Sequence, residues 1–371
     1  MSKAAELANL IGNINAGGGG VGRNLIINGA MNVSQRGTSF VDVSNDTYTL
    51  DRFNRRESND GAVTITQDSS APSGFANSLK VDVTGADGSL TGTQFEAIEH
   101  IIEAQNLQTL AFGTSDAKNF TVSFYVKSNK TGTYALNVIQ EDNSSKQATL
   151  NYTIDSANTW ERKSLTFTGD TSGVINDDNG NGFKLLIWLA AGADLTSGSA
   201  TATFQTYSNA QAAAQHGVNL LDSASNEWFI TGLQLEVGQN ATSFEHEPFE
   251  RTLAKCQRYF QLWTREISGF ITGQNNYAVV GDAVMHSDTN PFTSFFHPVP
   301  LRAKPALTFN GSFASNNSGA DRALSSLQLN TSTPYMTHFF GTVADNNEAG
   351  QAGFMRANND GDASIFFDSE L

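Results

Sequence analysis

The chain contains a single cysteine, Cys256, in 371 residues. One thiol cannot close an internal disulfide or supply a cysteine zinc site. That points to synthesis in a reducing cytoplasm, with work outside a cell still open after lysis. Charge is also scarce. Asp, Glu, Lys and Arg make up 16% of residues, where a globular domain carries about 25%. Cations are the scarcer sign, 22 against 37 acidic residues, for a formal net charge of -15 and a pI near 4.7. With no basic stripe to neutralise phosphates, a nucleic-acid binder is excluded. No run of 18 or more apolar residues occurs, so membrane insertion is not expected. The Met1-Ser2-Lys3 start lacks the apolar core of a secretion signal.

Asn, Ser, Thr and Gly take the place of charge. They form turns and hydrogen-bond without ionising. With 39% apolar residues and a mean hydropathy of -0.30, this is the composition of an exposed, mainly β protein. The length predicts two or three domains of about 100–200 residues each. At the start, Ala4, Leu7, Leu10, Ile11 and Ile14 recur at helical spacing. The segment is about three turns long, too short to be stable alone, so its stripe must bury on a copy of itself or on a partner. Gly17 to Gly20 follow as a flexible hinge. Residues 1–23 therefore read as an attachment peptide, against the plainer alternative of a frayed terminus.

From Asn24 the texture is short strands between Gly, Asn, Asp and Ser clusters. The strand candidates are Val63–Thr66, Leu79–Val83, Phe120–Val126, Thr133–Ile139, Leu165–Thr168, Phe183–Leu189 and Trp228–Leu235. Their spacing predicts an antiparallel β-sandwich over residues 24–248. Without regular βα alternation, a doubly wound sheet is disfavoured. Residues 249–265 predict a junction helix just after Pro248, with Phe249, Leu253, Cys256, Phe260 and Trp263 on one face. Residues 266–371 resume the β texture, with strand candidates from Ile267–Ile271 to Ile365–Phe367. A second, smaller sandwich is expected there.

Few residue patterns demand chemistry. Asp177, Asn179 and Asn181, followed by Gly182, match the opening of a calcium loop, but the twelfth position is Trp188 rather than a bidentate Glu. The alternatives are a calcium site and a plain polar loop. A divalent ion would let an acidic protein bridge to an anionic cell surface. The histidines, at 100, 216, 246, 286, 297 and 338, show no zinc spacing. Cys256 lies on the apolar helix face and reads as an inert thiol. No nucleophile elbow, P-loop or dinucleotide-binding glycine motif occurs, so no enzyme is expected. Aromatic faces stack on pyranose rings while polar neighbours bond the hydroxyls. The four tryptophans, at 160, 188, 228 and 263, are assigned to the core. The candidates for receptor or glycan contact are Tyr277, Phe313 and Tyr335, all set in Gly-, Asn- or Pro-bearing loops.

Three stretches carry a family resemblance. They are Asn24-Leu-Ile-Ile-Asn-Gly-Ala-Met-Asn-Val-Ser-Gln-Arg-Gly-Thr, Tyr48-Thr-Leu-Asp-Arg-Phe, and Leu233-Gln-Leu-Glu-Val-Gly-Gln-Asn-Ala-Thr-Ser-Phe-Glu-His-Glu-Pro-Phe, continuing to Leu253-Ala-Lys-Cys-Gln-Arg-Tyr-Phe. In this order they resemble a tail-fibre and appendage (receptor-binding) family of tailed bacteriophages. The resemblance implies a carbohydrate-binding-like jelly roll, a helix and a distal β domain. It further implies a homotrimeric virion component made in the host cytoplasm. Its N-terminus would dock on a phage tail or other virion protein through Leu7, Leu10, Ile11 and Ile14. Distal loops would meet a host-surface glycan or protein without catalysis. The rivals are a capsid or collar decoration protein and a polysaccharide depolymerase. Read physically, the motif residues look structural. Asn28-Gly29 is a tight turn. Gln35-Arg36 and Asp51-Arg52 suit an Arg–carboxylate clamp. Gln234 and Glu236 alternate with Leu233, Leu235 and Val237 as in a half-buried strand. Phe244 and Phe249 are expected to plug a core.

Overall fold

A computed structural model describes residues 3–4, 22–142, 145–264, 278–317, 319–344 and 348–371. The chain divides into two compact units, one running up to Thr252 and taking in Leu371, the other from Leu253 to Glu370. Among the described residues no helix is long and apolar enough to cross a membrane.

The first unit is the expected antiparallel β-sandwich. Its strands are β1 (Ser39–Val41), β2 (Thr47–Tyr48), β3 (Phe53–Ser58), β4 (Ala62–Asp68), β5 (Ser78–Gly85), β6 (Phe95–Glu103), β7 (Phe120–Ser128), β8 (Gly132–Gln140), β9 (Lys146–Ile154), β10 (Glu161–Phe167), β11 (Asn181–Ala191), β12 (Thr201–Thr206) and β13 (Glu227–Val237). One sheet runs β1-β4-β5-β13-β7-β10; the other runs β12-β9-β8-β11-β6-β3-β2. Strand side chains alternate between faces, and one parity of each strand meets in a single core. Phe120, Val122, Phe124 and Val126 come from one sheet, and Leu136, Val138, Phe183, Leu185 and Ile187 from the other. Each such side chain, taken from water, contributes about 1.5–3 kcal/mol. On β13 the inward parity changes from Trp228 and Ile230 to Leu233, Leu235 and Val237. The register shift between Thr231 and Gln234 accommodates this, and Gly232 supplies the left-handed φ of 63°.

The outward side chains of β13 are buried as well. Thr242 donates to Glu236 from its backbone N–H (2.8 Å) and its hydroxyl (2.7 Å), and the Glu245 N–H donates to Gln234 Oε1 (2.8 Å). The strand expected to be half-buried is thus covered on both faces. The first and last motifs meet here. Leu25 N donates to Leu235 O and Leu233 N to Gly29 O, both at 2.9 Å. The middle motif joins the same knot, because Asn28 Nδ2 donates to Asp51 O at 3.0 Å. Asp51 is clamped less by arginine than by Gln35, whose backbone N–H and amide each donate at 2.6 Å. Burial raises the Asp51 carboxyl above its ordinary range, against those bonds and the nearby Arg36 and Arg52.

The second unit departs from the expected small sandwich. Strands β14 (Phe260–Thr264), β17 (Ala306–Asn310) and β22 (Ser364–Asp368) form a three-stranded sheet in the order β14-β22-β17. Strands β15 (Val279–Met285), β16 (Pro291–Phe296), β18 (Phe313–Asn317), β19 (Ala320–Thr333), β20 (Met336–Val343) and β21 (Ala352–Ala357) close into a barrel, β15-β16-β20-β19-β18-β21. Closure removes the edges that a sandwich of so few strands would leave. Phe313, Phe339 and Met355 of the barrel share one core with Ile365 and Phe367 of β22.

The junction helix is also shorter than expected. Among the described residues the α-helices after residue 22 are, in chain order, α1 (Ala193–Thr196), α2 (Asn209–Ala212) and α3 (Phe249–Gln257). Phe260 to Thr264, read as helix, is instead strand β14, because pairing with β22 and the packing of Trp263 against Phe313 override the helical spacing. Phe249 does not plug a core; it is 54% exposed. The strand candidate at 267–271 lies outside the described residues.

Three buried histidines set an acid limit: His100, which burial lowers well below its ordinary value, His216 and His297. His216 accepts the Ala135 backbone N–H on Nδ1 at 3.1 Å. His297 lies between Gln261 Oε1 and Thr337 Oγ1, each at 2.8 Å. Burial lowers both from 6.5 to about 4. Between those values the unfolded chain binds more protons than the folded one, so stability falls as pH drops. Denaturant unfolding of the first unit is expected to lose about 3 kcal/mol through His216 on going from pH 7 to pH 4. His216→Gln should flatten that slope, and an unchanged slope would contradict the assignment.

Candidate functional site

The outward face of the seven-stranded sheet holds a trough built by the strands themselves. Register places Asn54, Glu99, Leu186, Asn137 and Thr149 in a row across β3, β6, β11, β8 and β9. Beside it Ala97 pairs with Arg56 on one side and Trp188 on the other. Lys184 pairs with Ile101 and Ile139. Such positions would face water in a bare sandwich. Here the segments on either side of β12, carrying Leu195 and then Ala212 and Ala213, pack over them as a wall. Gly192 begins α1 against the Thr91 loop, where a Cβ would lie 2.0 Å from the Thr91 carbonyl oxygen, so only glycine fits this approach. The polar side of β9 holds the wall: Thr149 Oγ1 donates to Gln211 O and Gln147 Nε2 to Ser208 O, both at 2.7 Å.

The trough encloses about 420 Å³. Its floor is apolar: Leu186, Ile139, Leu195 and Trp188, the last only 4% exposed and edge-on to Phe95 at 5.4 Å. The Trp188 indole nitrogen is buried without a hydrogen-bond partner among the described residues. Tyr207, 40% exposed, stands at the rim with Asn209. Charges lie along the sides in pairs. Lys184 Nζ is 2.7 Å from Glu141 Oε1, and Arg56 Nη1 is 2.5 Å from Asp46 and 3.7 Å from Glu99. Burial raises the Glu99 carboxyl above the ordinary carboxylate range, opposed by Arg56 and Lys184. Burial, reinforced by Glu141, also raises the Tyr207 phenol. A rigid apolar floor with an aromatic rim and fixed donors and acceptors suits a flat ligand rich in hydroxyls.

None of the expected site residues among the described ones lines this trough. Phe313 is not a loop contact. It is 2% exposed in the barrel core, packed between Trp263 at 5.8 Å and Phe309 at 6.1 Å. The left-handed turn at Gly311, φ 80°, delivers it to the inward parity of β18. Tyr335 is 65% exposed in the turn between β19 and β20. Tyr277 and the stripe Leu7, Leu10, Ile11 and Ile14 lie outside the described residues. Asp177 and Asn179 are exposed, and Asn181 opens β11 opposite Glu103. Their loop pins the turn at Ala104 and Gln105, which donate to Gly180 O (3.0 Å) and Asp178 O (2.8 Å). Among the described residues no three His, Cys, Asp or Glu side chains stand together as a metal site. A second depression, about 690 Å³, lies on the barrel wall over Val284, Phe292 and Phe296. Its lining begins at Val279, at the edge of the described residues, and no site is assigned there.

Sequence reading placed Trp188 in a core, where it lies at 4% exposed, but missed the trough above it. One signal was present: Phe183 to Leu189 is apolar on both parities, which requires cover on both faces.

The class is therefore a mainly β protein built from an antiparallel β-sandwich and a closed barrel. No family model matches the chain, and no curated protein does. Among solved structures, it is similar to the family 11 carbohydrate-binding module of the cellulase Lic26A-Cel5E of Clostridium thermocellum, at 13% identity and a TM-score of 0.29, over 56% of this chain and 98% of that one. It is similar to the CBM22-1 xylan-binding domain of Paenibacillus barcinonensis Xyn10C, at 11% identity and a TM-score of 0.28, over 55% and 98%. It is also similar to the enzymatically active domain of bacteriophage CBA120 tailspike protein 4, at 11% identity and a TM-score of 0.30, over 53% of this chain but only 21% of that one. Overlays this loose transfer no activity.

Proposed function

We propose that this protein is a tailed-phage appendage that attaches to a host surface by binding a glycan, without catalysis, in the trough of its first unit. The observation that carries the reading is the trough: an apolar floor on a rigid sheet, with an exposed tyrosine and paired polar groups at its rim. The ordered motifs supply the phage assignment. The stripe of Leu7, Leu10, Ile11 and Ile14 serves as the particle end, and three copies compensate for a weak single site by multivalency. Tyr335 on the barrel is a further exposed contact.

The expected result is that the purified protein retains host-surface polysaccharide in affinity electrophoresis. Tyr207→Ala should weaken retention about 10-fold, the value of one stacked ring at about 1.4 kcal/mol. Equal retention by the variant sinks the trough reading. Location tests the appendage: copies in three-fold sets at the tail support it, and a many-copy capsid lattice supports decoration.

One observation favours a second reading. Glu99 and Glu141 share the trough, and paired carboxylates are the tools of a glycosidase. Both stand beside cations, which favours binding over hydrolysis. New reducing ends after incubation with host polysaccharide would decide for a depolymerase.

A further inference from the structure

The trough is electrostatically closed in a chain of net charge -15. Its cations are Arg56 and Lys184, and each is already engaged. Lys184 sits 2.7 Å from Glu141, and Arg56 sits 2.5 Å from Asp46 and 3.7 Å from Glu99. Two cations thus face three carboxylates. Drawing Arg56 onto a ligand carboxylate would weaken its hold on Glu99, whose side chain is only 2% exposed, and a buried charge without its partner is costly. Drawing Lys184 away would release Glu141 into the same space. An anionic ligand would also approach against the field of the whole chain.

The floor offers the opposite kind of contact. Trp188 lines the trough, and its indole nitrogen is buried with no acceptor among the described residues. An unmet buried donor is destabilising, and a neutral oxygen that reaches it recovers the loss. A sugar hydroxyl, ring oxygen or glycosidic oxygen is such an acceptor and brings no charge. Phe95 packs edge-on against the indole at 5.4 Å, which limits the ring's freedom to turn.

We propose that the trough takes an uncharged polysaccharide segment and discriminates against uronate-, sialate- and sulfate-bearing chains, with the Trp188 N–H as its buried specificity donor. This rests on the glycan reading of the trough. Selection is by exclusion as much as by attraction: the internal ion pairs leave no cation for an acidic sugar.

The test uses the intact protein, Tyr207→Ala and Trp188→Phe, in affinity electrophoresis and calorimetry. The uncharged polymers are dextran, laminarin, xylan and galactomannan. The acidic ones are alginate, polygalacturonate, polysialate and chondroitin sulfate. At least one uncharged polymer should bind about 10-fold or more tighter than any acidic one, and its Kd should change less than about two-fold between about 50 mM and 500 mM salt. Trp188→Phe keeps a ring but loses the donor, and should weaken that binding about five-fold or more. An acidic polymer that is preferred, and lost with Tyr207→Ala, overturns the charge selection while leaving the trough reading standing. Binding of no polymer at all, or binding indifferent to Tyr207→Ala, overturns both. Full affinity in Trp188→Phe overturns the donor role. If that variant does not fold, the polymer ranking and salt response of the parent still decide.

Discussion

Replacing Arg55 with alanine is expected to destabilise the first unit by about 3–5 kcal/mol and to lower its melting midpoint by about 10 °C. Arg55 on β3 and Glu96 on β6 form a two-pronged pair. Nε donates to Oε1 and Nη2 to Oε2, both at 2.9 Å, and Asn59 Nδ2 adds a third donor at 3.0 Å. Both side chains are buried. The pair itself adds little net stability, since desolvating two ions consumes most of their attraction. Removing one partner is different, because it strands a buried carboxylate. Burial already raises the Glu96 carboxyl above its ordinary range, with Arg55 as the main restraint. Without Arg55 the acid should rise further, so the loss should be smallest at low pH, where Glu96 takes a proton. The double variant Arg55→Met with Glu96→Leu should recover most of the loss. A double-mutant cycle by urea unfolding checks both statements, and a single-variant loss below about 1 kcal/mol would contradict them.

The same pair shows why part of the fold was legible in the sequence and part was not. Alternating segments such as Val63–Thr66 and Phe120–Val126 announced β4 and β7 because one face of each is apolar. Strand β6 gave no such signal. Phe-Glu-Ala-Ile-Glu-His-Ile-Ile-Glu carries Glu96, Glu99, His100 and Glu103, all buried. Their partners, Arg55 for Glu96 and Arg56 for Glu99, come from β3, and no local pattern joins residues about 40 positions apart. Strand β9 was hidden because its polar side chains hold the trough wall rather than face water. The barrel was misread as a sandwich because closure depends on the β15–β21 pairing, which strand texture does not encode. Phe313 looked like a loop aromatic because Asn310-Gly-Ser precedes it, yet the Gly311 turn aims it inward. The site suffered most. A trough on a sheet is a property of register, and register appears only once the strands are paired.

Gly29→Ala is expected to cost about 3 kcal/mol, the upper end of ordinary overpacking. A Cβ on Gly29 would stand 2.0 Å from the Leu233 carbonyl oxygen and 3.1 Å from its carbon. Those are backbone atoms of β13, so no side chain can step aside. Strand β13 is also held on both edges, by β5 and β7, and cannot shift without disturbing the six-stranded sheet. The clash would fall where the chain enters the sandwich. Glu245 holds that entry, accepting the Gly22 N–H at 2.6 Å and the Asn24 N–H at 2.8 Å, while Leu25 bonds Leu235. In the proposed appendage, any load on the particle end passes through these bonds into β13, a strand deep in the sheet order. Three motifs scattered over the sequence thus act as one anchorage, which explains their residue types without any chemistry. Gly88→Ala is the control, since nothing lies within 4 Å of a Cβ there, and it should stay within about 0.5 kcal/mol of the parent. Guanidinium unfolding of the intact chain compares the two. A Gly29→Ala variant as stable as the control would mean that β13 yields cheaply, and the knot could not then be the point through which the first unit is held.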